Sequence, residues 1–136
     1  MKIKLDKGAY LPTRAHDKDG GLDLYARESQ IVPGGGSAVF DTGVHVQLPV
    51  GSAGLLVSKS GLNVKHGLVS DGLIDAGYTG SIVVKLYNLG RHNYEVKAGD
   101  KISQLVVVPI MLPPIFVVDE LEETARGNGG FGSTGK

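Results

Sequence analysis

Short runs in which apolar and polar residues alternate recur along most of the chain, and glycine and proline separate them. A period of two is typical of β-strands, and turn signals at intervals of about 8 to 12 residues are typical of a sandwich or barrel. The predicted fold class is all-β, with at most one short helix near 60–66. The predicted strands span residues 2–5, 22–26, 30–32, 37–40, 44–48, 53–57, 81–88, 94–96 and 101–109.

The end of the chain changes character. Residues 101–109 begin polar and become continuously apolar, which predicts a strand at the centre of a sheet or against another subunit. Beyond two consecutive prolines the chain passes through an apolar, an acidic and a glycine-rich stretch. From 126 onward it carries five glycines and one aromatic residue, too little to bury a core of its own. We predict one domain over 1–118 and a flexible arm over 119–136.

Composition excludes several classes of protein. The 136 residues suit one domain, and a formal net charge of zero removes the general attraction to nucleic acid. Without cysteine there is no disulfide or thiolate metal site, and the four histidines, at 16, 45, 66 and 92, lack the spacing of zinc ligands. No apolar stretch approaches the roughly 18 to 20 residues that span a bilayer. We expect a cytoplasmic protein that binds neither nucleic acid nor membrane.

Three polar features stand out among the predicted strands. Residues 71–82, DGLIDAGYTGSI, are predicted to form a hairpin whose tip presents the Asp75 carboxylate and the Tyr78 ring. Asp23 lies on a strand beside two glycines, and SKSG at 58–61 combines hydroxyl groups, an ammonium group and helix-start N–H groups, which are parts of an anion site. Taken singly, each has an ordinary structural explanation: a turn with a solvated acid, a solvent-facing edge position, or a capped turn.

Five polar segments occur in this order on the predicted scaffold: GGLDLYA, SKSG, GLIDAGYTG, GDKISQ and RGNGGFGSTG. Their order and content resemble the homotrimeric dUTP diphosphatase (dUTPase) family over residues 20–135. The resemblance implies a jelly-roll-like β-barrel, three active sites at subunit interfaces, and a C-terminal arm that closes over a neighbouring subunit's site. It also implies hydrolysis of dUTP to dUMP and pyrophosphate, which limits uracil in DNA and supplies dUMP for thymidylate synthesis.

The same resemblance implies roles for individual residues. Asp75 would activate the water that attacks the α-phosphorus in line, and the ring of Tyr78 would leave no room for a 2′-hydroxyl group. Mg²⁺ would be held mainly by the phosphates, with Asp23 reaching it through coordinated water. The residues expected at the sugar and base are Gly72, Ile74, Tyr78 and Phe131. The residues expected at the phosphates are Lys59, Ser60, Gly61, Gln104, Arg126, Ser133 and Thr134.

Two alternatives stay open. A dCTP deaminase, or a bifunctional deaminase and dUTPase, on the same fold would need a glutamate near the predicted hairpin as a proton shuttle, and residues 71–82 contain none. A non-catalytic regulatory β-trimer would release no pyrophosphate from dUTP, and it would not need all five segments. Assays of pyrophosphate and ammonia separate the three functions.

Overall fold

The structure, a computed structural model, describes residues 1–129. This part of the chain forms ten β-strands and one helix. The elements are β1 (Lys2–Leu5), β2 (Gly21–Tyr25), β3 (Gln30–Val32), β4 (Ser37–Gln47), β5 (Ser52–Val57), α1 (Ser60–His66), β6 (Leu68–Val69), β7 (Asp71–Asp75), β8 (Ser81–Asn88), β9 (Tyr94–Val96) and β10 (Lys101–Pro109). The all-β prediction is confirmed, and the short helix lies where it was expected. Within residues 1–129, no helix is long and apolar enough to cross a membrane.

Two four-stranded antiparallel sheets make up most of the fold. One has the strand order β1-β4-β8-β6, the other has the order β2-β10-β5-β7, and β3 pairs with β9 in a separate ribbon. Strand β8 shows how the sheets bury their core, because Ile82, Val84 and Leu86 are buried while the residues between them point outward. Two packed sheets are the jelly-roll arrangement. The strands of residues 1–129 do not close into one hydrogen-bonded barrel.

Strand β10 lies at the centre of its sheet, as its apolar run predicts. It pairs with β2 along one edge and with β5 along the other. Ile102 and Leu105 are almost fully buried, and burial of each side chain contributes about 1.5–3 kcal/mol. The backbone that carries Gln104 is therefore held on both sides.

Strand β4 is one long strand, so the prediction of two strands over 37–40 and 44–48 is wrong. Its register against β8 shifts between Asp41 and His45, which makes a β-bulge. Gly43 has a φ of 66°, and a Cβ there would lie 2.9 Å from a guanidinium nitrogen of Arg27. The Asp-Thr-Gly sequence that resembles a turn is this bulge, and Asp41 stabilises it by accepting the Gly43 N–H at 3.0 Å.

Residues 71–82 do not form the predicted hairpin. Strand β7 pairs with β5, whereas β8 pairs with β4 and β6 in the other sheet. All five residues of β7 pair with β5, so β7 does not pair with β8, and residues 76–80 form a turn that connects the two sheets. Asp75, the last residue of β7, still lies directly before this turn, and Tyr78 lies in the middle of it.

The helix α1 is short and lies on the surface. It ends at Gly67, whose left-handed backbone, with a φ of 66°, lets its N–H bond the carbonyl of Asn63 at 2.9 Å. Lys65 and His66 lie in the last turn, where positive charge interacts favourably with the helix dipole. The helix fixes the direction of the polar segment that precedes it.

After β10, residues 110–129 contain neither helix nor strand. Many apolar side chains in this segment are exposed in the single chain, up to 97% for Val117. An apolar surface of this extent is typical of a segment that packs against another chain. The division into a domain over 1–118 and an arm over 119–136 stays a prediction.

Candidate active site

Asp23 is the centre of a buried polar cluster. Its side chain is 2% exposed, so the solvent-facing alternative is wrong. Oδ1 accepts hydrogen bonds from Lys59 Nζ and Gln104 Nε2, each at 3.1 Å, and Oδ2 lies 2.7 Å from Lys101 Nζ. The register of β2 against β10 places Gln104 directly opposite Asp23. The carboxylate on β2 is therefore contacted from the residue before α1 and from β10, both distant from it in sequence.

The charges of this cluster leave it positive. Burial raises the pKa of Asp23, but hydrogen bonds from the ammonium groups of Lys101 and Lys59, together with their charges, outweigh burial and hold the pKa below its ordinary value. The same contact raises the pKa of Lys101. With two ammonium groups and one carboxylate, the cluster has an excess of one positive charge at neutral pH. It is therefore suited to hold an anion.

The segment SKSG begins the helix beside this cluster. Lys59, the N-cap residue, has an extended backbone with φ −70° and ψ 122°, and its side chain turns to Asp23 rather than capping the helix. Ser60 and Gly61 are exposed, and the first N–H groups of a helix have no intrahelical partner. The hydroxyl oxygen of Ser58 accepts the Ser70 N–H at 2.9 Å. This bond connects the segment to the residue between β6 and β7 of the same chain.

The second candidate region is the turn after β7. Asp75 ends the strand with an exposed side chain, and its carbonyl accepts the Tyr78 N–H at 2.9 Å. Tyr78 is 45% exposed, and its hydroxyl donates to the Ser81 carbonyl at 2.9 Å. The ring lies against Gly80, where a Cβ would come within 2.4 Å of the Tyr78 hydroxyl oxygen. Only glycine at position 80 is compatible with this ring position.

The other two β7 residues predicted to contact the base differ in exposure. Ile74 is buried in the core, while Gly72 is exposed, and a Cβ on Gly72 would lie 3.0 Å from a Leu56 methyl group. Ile74 can therefore contribute backbone groups to a ligand, but its side chain belongs to the core. Gly72 offers an open stretch of backbone on the strand.

The two regions lie at opposite ends of one sheet. In the strand register Gln104 faces Val57 and Val57 faces Asp71, so Asp75 lies two strands across and four residues along from Gln104. Standard strand spacings make this separation about 16 Å. A single chain therefore does not bring the predicted catalytic acid and the predicted phosphate ligands together.

The arm residues are only partly described. Arg126 is exposed, and its Nε donates to the Gly129 carbonyl at 2.9 Å within the arm. Phe131, Ser133 and Thr134 lie outside the described residues. Their predicted roles, like those of the other site residues, stay predictions.

A metal ion finds few protein ligands in this region. Across residues 1–129 no group of three or more His, Asp and Glu side chains is placed to hold one. An ionised carboxylate has about four acceptor positions, and three positions on Asp23 take Lys59, Lys101 and Gln104. One position remains, which fits contact through a metal-bound water and does not fit a set of direct ligands.

Comparison with known proteins agrees with these features. The dUTPase family model matches residues 7–135. The chain belongs to the dUTPase family. A deoxyuridine 5′-triphosphate nucleotidohydrolase from Clostridium tetani is 44% identical over 140 residues, which cover 100% of this chain and 97% of that protein. The protein of that name from Paramecium bursaria Chlorella virus 1 is 41% identical over 133 residues, covering 97% and 94% of the two chains.

Solved dUTPases have the same fold. The Staphylococcus bacteriophage 80alpha dUTPase with dUPNHPP has a TM-score of 0.88 and 35% identity, covering 99% of this chain and 98% of that chain. A mutant dUTPase from phage phi11 of S. aureus, solved with a structural Mg(II) ion, has a TM-score of 0.82 and 31% identity, covering 90% and 98%. The family resemblance found in the sequence is thus confirmed.

Two features of this dUTPase-family site were missed in the sequence. Lys101 is not among the predicted site residues, although it makes the shortest contact with Asp23, and a register shift between Lys101 and Ser103 brings it there. Ser70 and Ser103, both buried, share a hydrogen bond of 2.8 Å between their hydroxyl groups, and Ser103 directly precedes Gln104 on β10. For Ser103, a small polar residue inside a mostly apolar strand was the available signal.

Replacing Asp23 with asparagine should destabilise this dUTPase-family chain. The change keeps the shape but leaves two ammonium groups without a counter-ion. We expect a loss of about 2 kcal/mol at neutral pH, below the usual range for a broken buried pair because the lysines are partly exposed. Since the pKa of Asp23 is lowered, its contribution is present above the ordinary value of about 3.9 and is lost as the pH falls through the folded pKa.

Thermal unfolding at matched protein concentration measures this effect. The difference in Tm between Asp23→Asn and the wild type should be largest at neutral pH and shrink in acid. Asp17→Asn, a change at an exposed loop position, is the control and should unfold like the wild type. An equal difference in Tm at neutral and acidic pH would contradict the charge argument.

Proposed function

We propose that this protein hydrolyses dUTP to dUMP and pyrophosphate, in the cytoplasm. The proposal rests on one observation: a chain of the dUTPase family carries both an exposed turn carboxylate, Asp75, and a positive polar cluster suited to phosphate. The relatives named as deoxyuridine 5′-triphosphate nucleotidohydrolases and the phage enzyme with dUPNHPP support it. The reaction would limit uracil in DNA and supply dUMP for thymidylate synthesis.

Asp75 would activate the attacking water. An exposed carboxylate at neutral pH accepts a hydrogen bond from water and takes its proton as the oxygen attacks the α-phosphorus. The new bond joins that oxygen to the α-phosphorus, and the bond to the oxygen bridging the α- and β-phosphorus breaks. Pyrophosphate leaves with the electron pair, and dUMP keeps the new oxygen. No covalent enzyme intermediate is needed.

The cluster around Asp23 would bind the triphosphate. Lys59 supplies positive charge, and the hydroxyl of Ser60 and the N–H of Gly61 are exposed donors beside it. The side-chain amide of Gln104 has two N–H groups, and one of them bonds Asp23 at 3.1 Å, so the other can donate to an α-phosphate oxygen. Asp23 itself holds Lys59 and Gln104 in position for this role.

Mg²⁺ is proposed as the cofactor, bound mainly by the phosphates. When bound, the ion supplies charge neutralisation along the triphosphate and orients its oxygens. Asp23 would contact it through water, in keeping with its single remaining acceptor position. The phi11 phage dUTPase with its structural Mg(II) ion supports a role for this metal in the family.

The site is proposed to lie between subunits of a homotrimer. Asp75 and Gln104 must both reach the α-phosphate, yet they are about 16 Å apart in one chain. Asp75 of one subunit would therefore act on a triphosphate held by the cluster of another. The exposed apolar residues of 110–121 supply a surface for association. The arm, with Arg126, Phe131, Ser133 and Thr134, would then close over a neighbour's site.

The activity is tested by incubating the protein with dUTP, dCTP, dTTP and UTP, with and without Mg²⁺. We expect rapid pyrophosphate release from dUTP alone, and only with the metal. Ammonia from dCTP would support the deaminase alternative, although no glutamate lies in residues 71–82 to carry the proton. A protein that leaves every nucleotide intact would support the non-catalytic β-trimer.

Tyr78→Ala should weaken the rejection of ribonucleotides. If the ring stands against the deoxyribose, its removal opens space for the 2′-hydroxyl, and the ratio of kcat/KM for dUTP over UTP should fall by about 10- to 100-fold. Tyr78→Phe is the matched control, since it keeps the ring and loses only the 2.9 Å hydrogen bond to Ser81. An unchanged ratio in Tyr78→Ala would mean that the ring does not contact the sugar.

A further inference from the structure

A network of charged side chains holds the turn that carries Tyr78. None of these side chains is among the predicted site residues. On one side of the turn, His45 Nδ1 lies 2.8 Å from the Thr79 carbonyl oxygen. The other ring nitrogen, Nε2, lies 3.2 Å from Asp6 Oδ2. The imidazole thus connects the segment after β1 with the turn that follows β7.

The other side of the turn is held by the same network. Ser81 donates its hydroxyl hydrogen to Asp41 Oδ1. The guanidinium group of Arg27 lies 3.3 Å from Asp41 Oδ2 and 3.9 Å from Asp6 Oδ2, so it joins the two acids. The network therefore contacts the chain at Thr79 and at Ser81, on both sides of Gly80. We call the side chains of Asp6, Arg27, Asp41 and His45 the turn clamp.

The β-bulge in β4 makes the turn clamp possible. Asp41 and His45 lie at the two ends of the bulge, and the register places His45 opposite Ser81. The backbone carbonyl of Gly43 accepts the Asp6 N–H at 2.9 Å, which fixes the acid beside the imidazole. An unbulged strand would aim these side chains differently.

The hydrogen-bond partners require a protonated His45. A backbone carbonyl can only accept, so Nδ1 must carry a proton to bond Thr79. Nε2 is buried, makes no well-aligned hydrogen bond within residues 1–129, and lies beside a carboxylate, where only a protonated nitrogen is favourable. Both ring nitrogens therefore carry protons in this arrangement, and the ring is an imidazolium.

The charged groups around His45 favour this state on balance. The Thr79 carbonyl and then Asp6 raise the pKa of His45, against the opposing effects of partial burial and of Lys4, which lies opposite His45 on β1. Lys2 lines a surface cavity together with Lys4 and His45, and Arg27 pairs with both Asp6 and Asp41. A raised pKa means that the stabilisation is complete below the ordinary value of about 6.5 and is lost as the pH rises through the folded pKa.

Movement of Thr79 would displace the ring of Tyr78. The two residues are adjacent, the Tyr78 hydroxyl donates to the Ser81 carbonyl, and the ring rests on Gly80 between the two clamped residues. We propose that protonated His45, with Asp6 as its counter-ion, is a positioning residue for Tyr78, so that the preference for dUTP over UTP weakens when His45 loses its proton. This inference rests on the proposed function, in which Tyr78 faces the sugar.

The kinetic test compares kcat/KM for dUTP and UTP between about pH 6 and pH 8.5. Both substrates share the uracil and the triphosphate, so their titrations cancel in the ratio. In the wild type the ratio should fall by about tenfold as His45 deprotonates. His45→Gln keeps one donor for Thr79 without a charge, and its ratio should be low and independent of pH. His16→Gln, at an exposed position, is the control and should follow the wild type. A wild-type ratio that stays constant over this range would overturn the inference.

A second measurement needs no catalysis. In NMR titration of the wild-type protein, the His45 ring signals should titrate above the ordinary histidine value, and the amide signals of Tyr78 and Ser81 should follow the same midpoint. Asp6→Asn should lower that midpoint, while Asp17→Asn should leave it unchanged. A midpoint at the ordinary value, or turn signals that ignore it, would overturn the inference even if dUTP is hydrolysed. Loss of dUTP hydrolysis with these signals intact would instead count against the proposed function.

Discussion

Asp75→Asn is expected to lower turnover of dUTP by about 10³-fold while the nucleotide still binds. The amide keeps the size of the side chain but cannot take a proton from water, so the chemical step should fail. Binding should survive because the proposed triphosphate ligands, Lys59 and Gln104, are other side chains, and the substitution leaves their contacts with Asp23 in place. The measurements are pyrophosphate release in single turnover and the Kd of dUPNHPP.

The matched control for this substitution is Glu95→Gln. It makes the same change of carboxylate to amide at an exposed position on β9, in the separate ribbon. It should leave both kcat and Kd unaltered. If Asp75→Asn keeps the wild-type kcat, the acid is not the base. If the variant loses binding and turnover together, Asp75 holds the substrate rather than activating water.

Mixed oligomers of two inactive variants are expected to regain activity. Lys59→Met removes the ammonium group from the phosphate cluster but keeps most of the stem, and we expect it to be nearly inactive. In a ring of three, each shared site takes Asp75 from one subunit and Lys59 from the next. Any mixed trimer of Asp75→Asn and Lys59→Met then contains one intact site. Its activity should be about one third of the wild-type value.

Co-expression with two different affinity tags, and purification over both, isolates the mixed oligomers. The control is the same procedure with two differently tagged Asp75→Asn chains, which should stay inactive because no site regains its acid. Pyrophosphate release from dUTP is measured for both preparations. If the mixed oligomers are as inactive as the control, Asp75 and Lys59 act within one subunit, and the proposal of a shared site fails.

Local pattern was enough for most secondary structure. The period of two in Ser81–Asn88 and the long apolar run of Lys101–Pro109 depend only on which residues are neighbours, and both strands have the predicted bounds. The errors have another origin. Whether 71–82 closes as a hairpin depends on the partners that β7 and β8 find elsewhere in the fold, and these are β5 for β7 and β4 for β8.

For the candidate site, too, features that depend on neighbouring residues were predicted, and features that depend on distant residues were not. The residue types and their order identified the family, because each polar segment is continuous in sequence. The surroundings of Asp23 could not be predicted, since its partners Lys59 and Gln104 lie 36 and 81 residues away. Burial between Lys59 and Lys101 makes Asp23 the counter-ion of a positive cluster, for which we propose phosphate binding.

By itself, the sequence determined the all-β class, the position of the helix, the family and the candidate acid, because these depend on periodicity and on residues adjacent in the chain. The tertiary structure decided that Asp75 and Gln104 face opposite ends of one sheet, that a bulge replaces a turn in β4, and that His45 meets Asp6 and Thr79. Each of these depends on the register between strands that are distant in sequence. That register is fixed only when the two sheets pack around a common core.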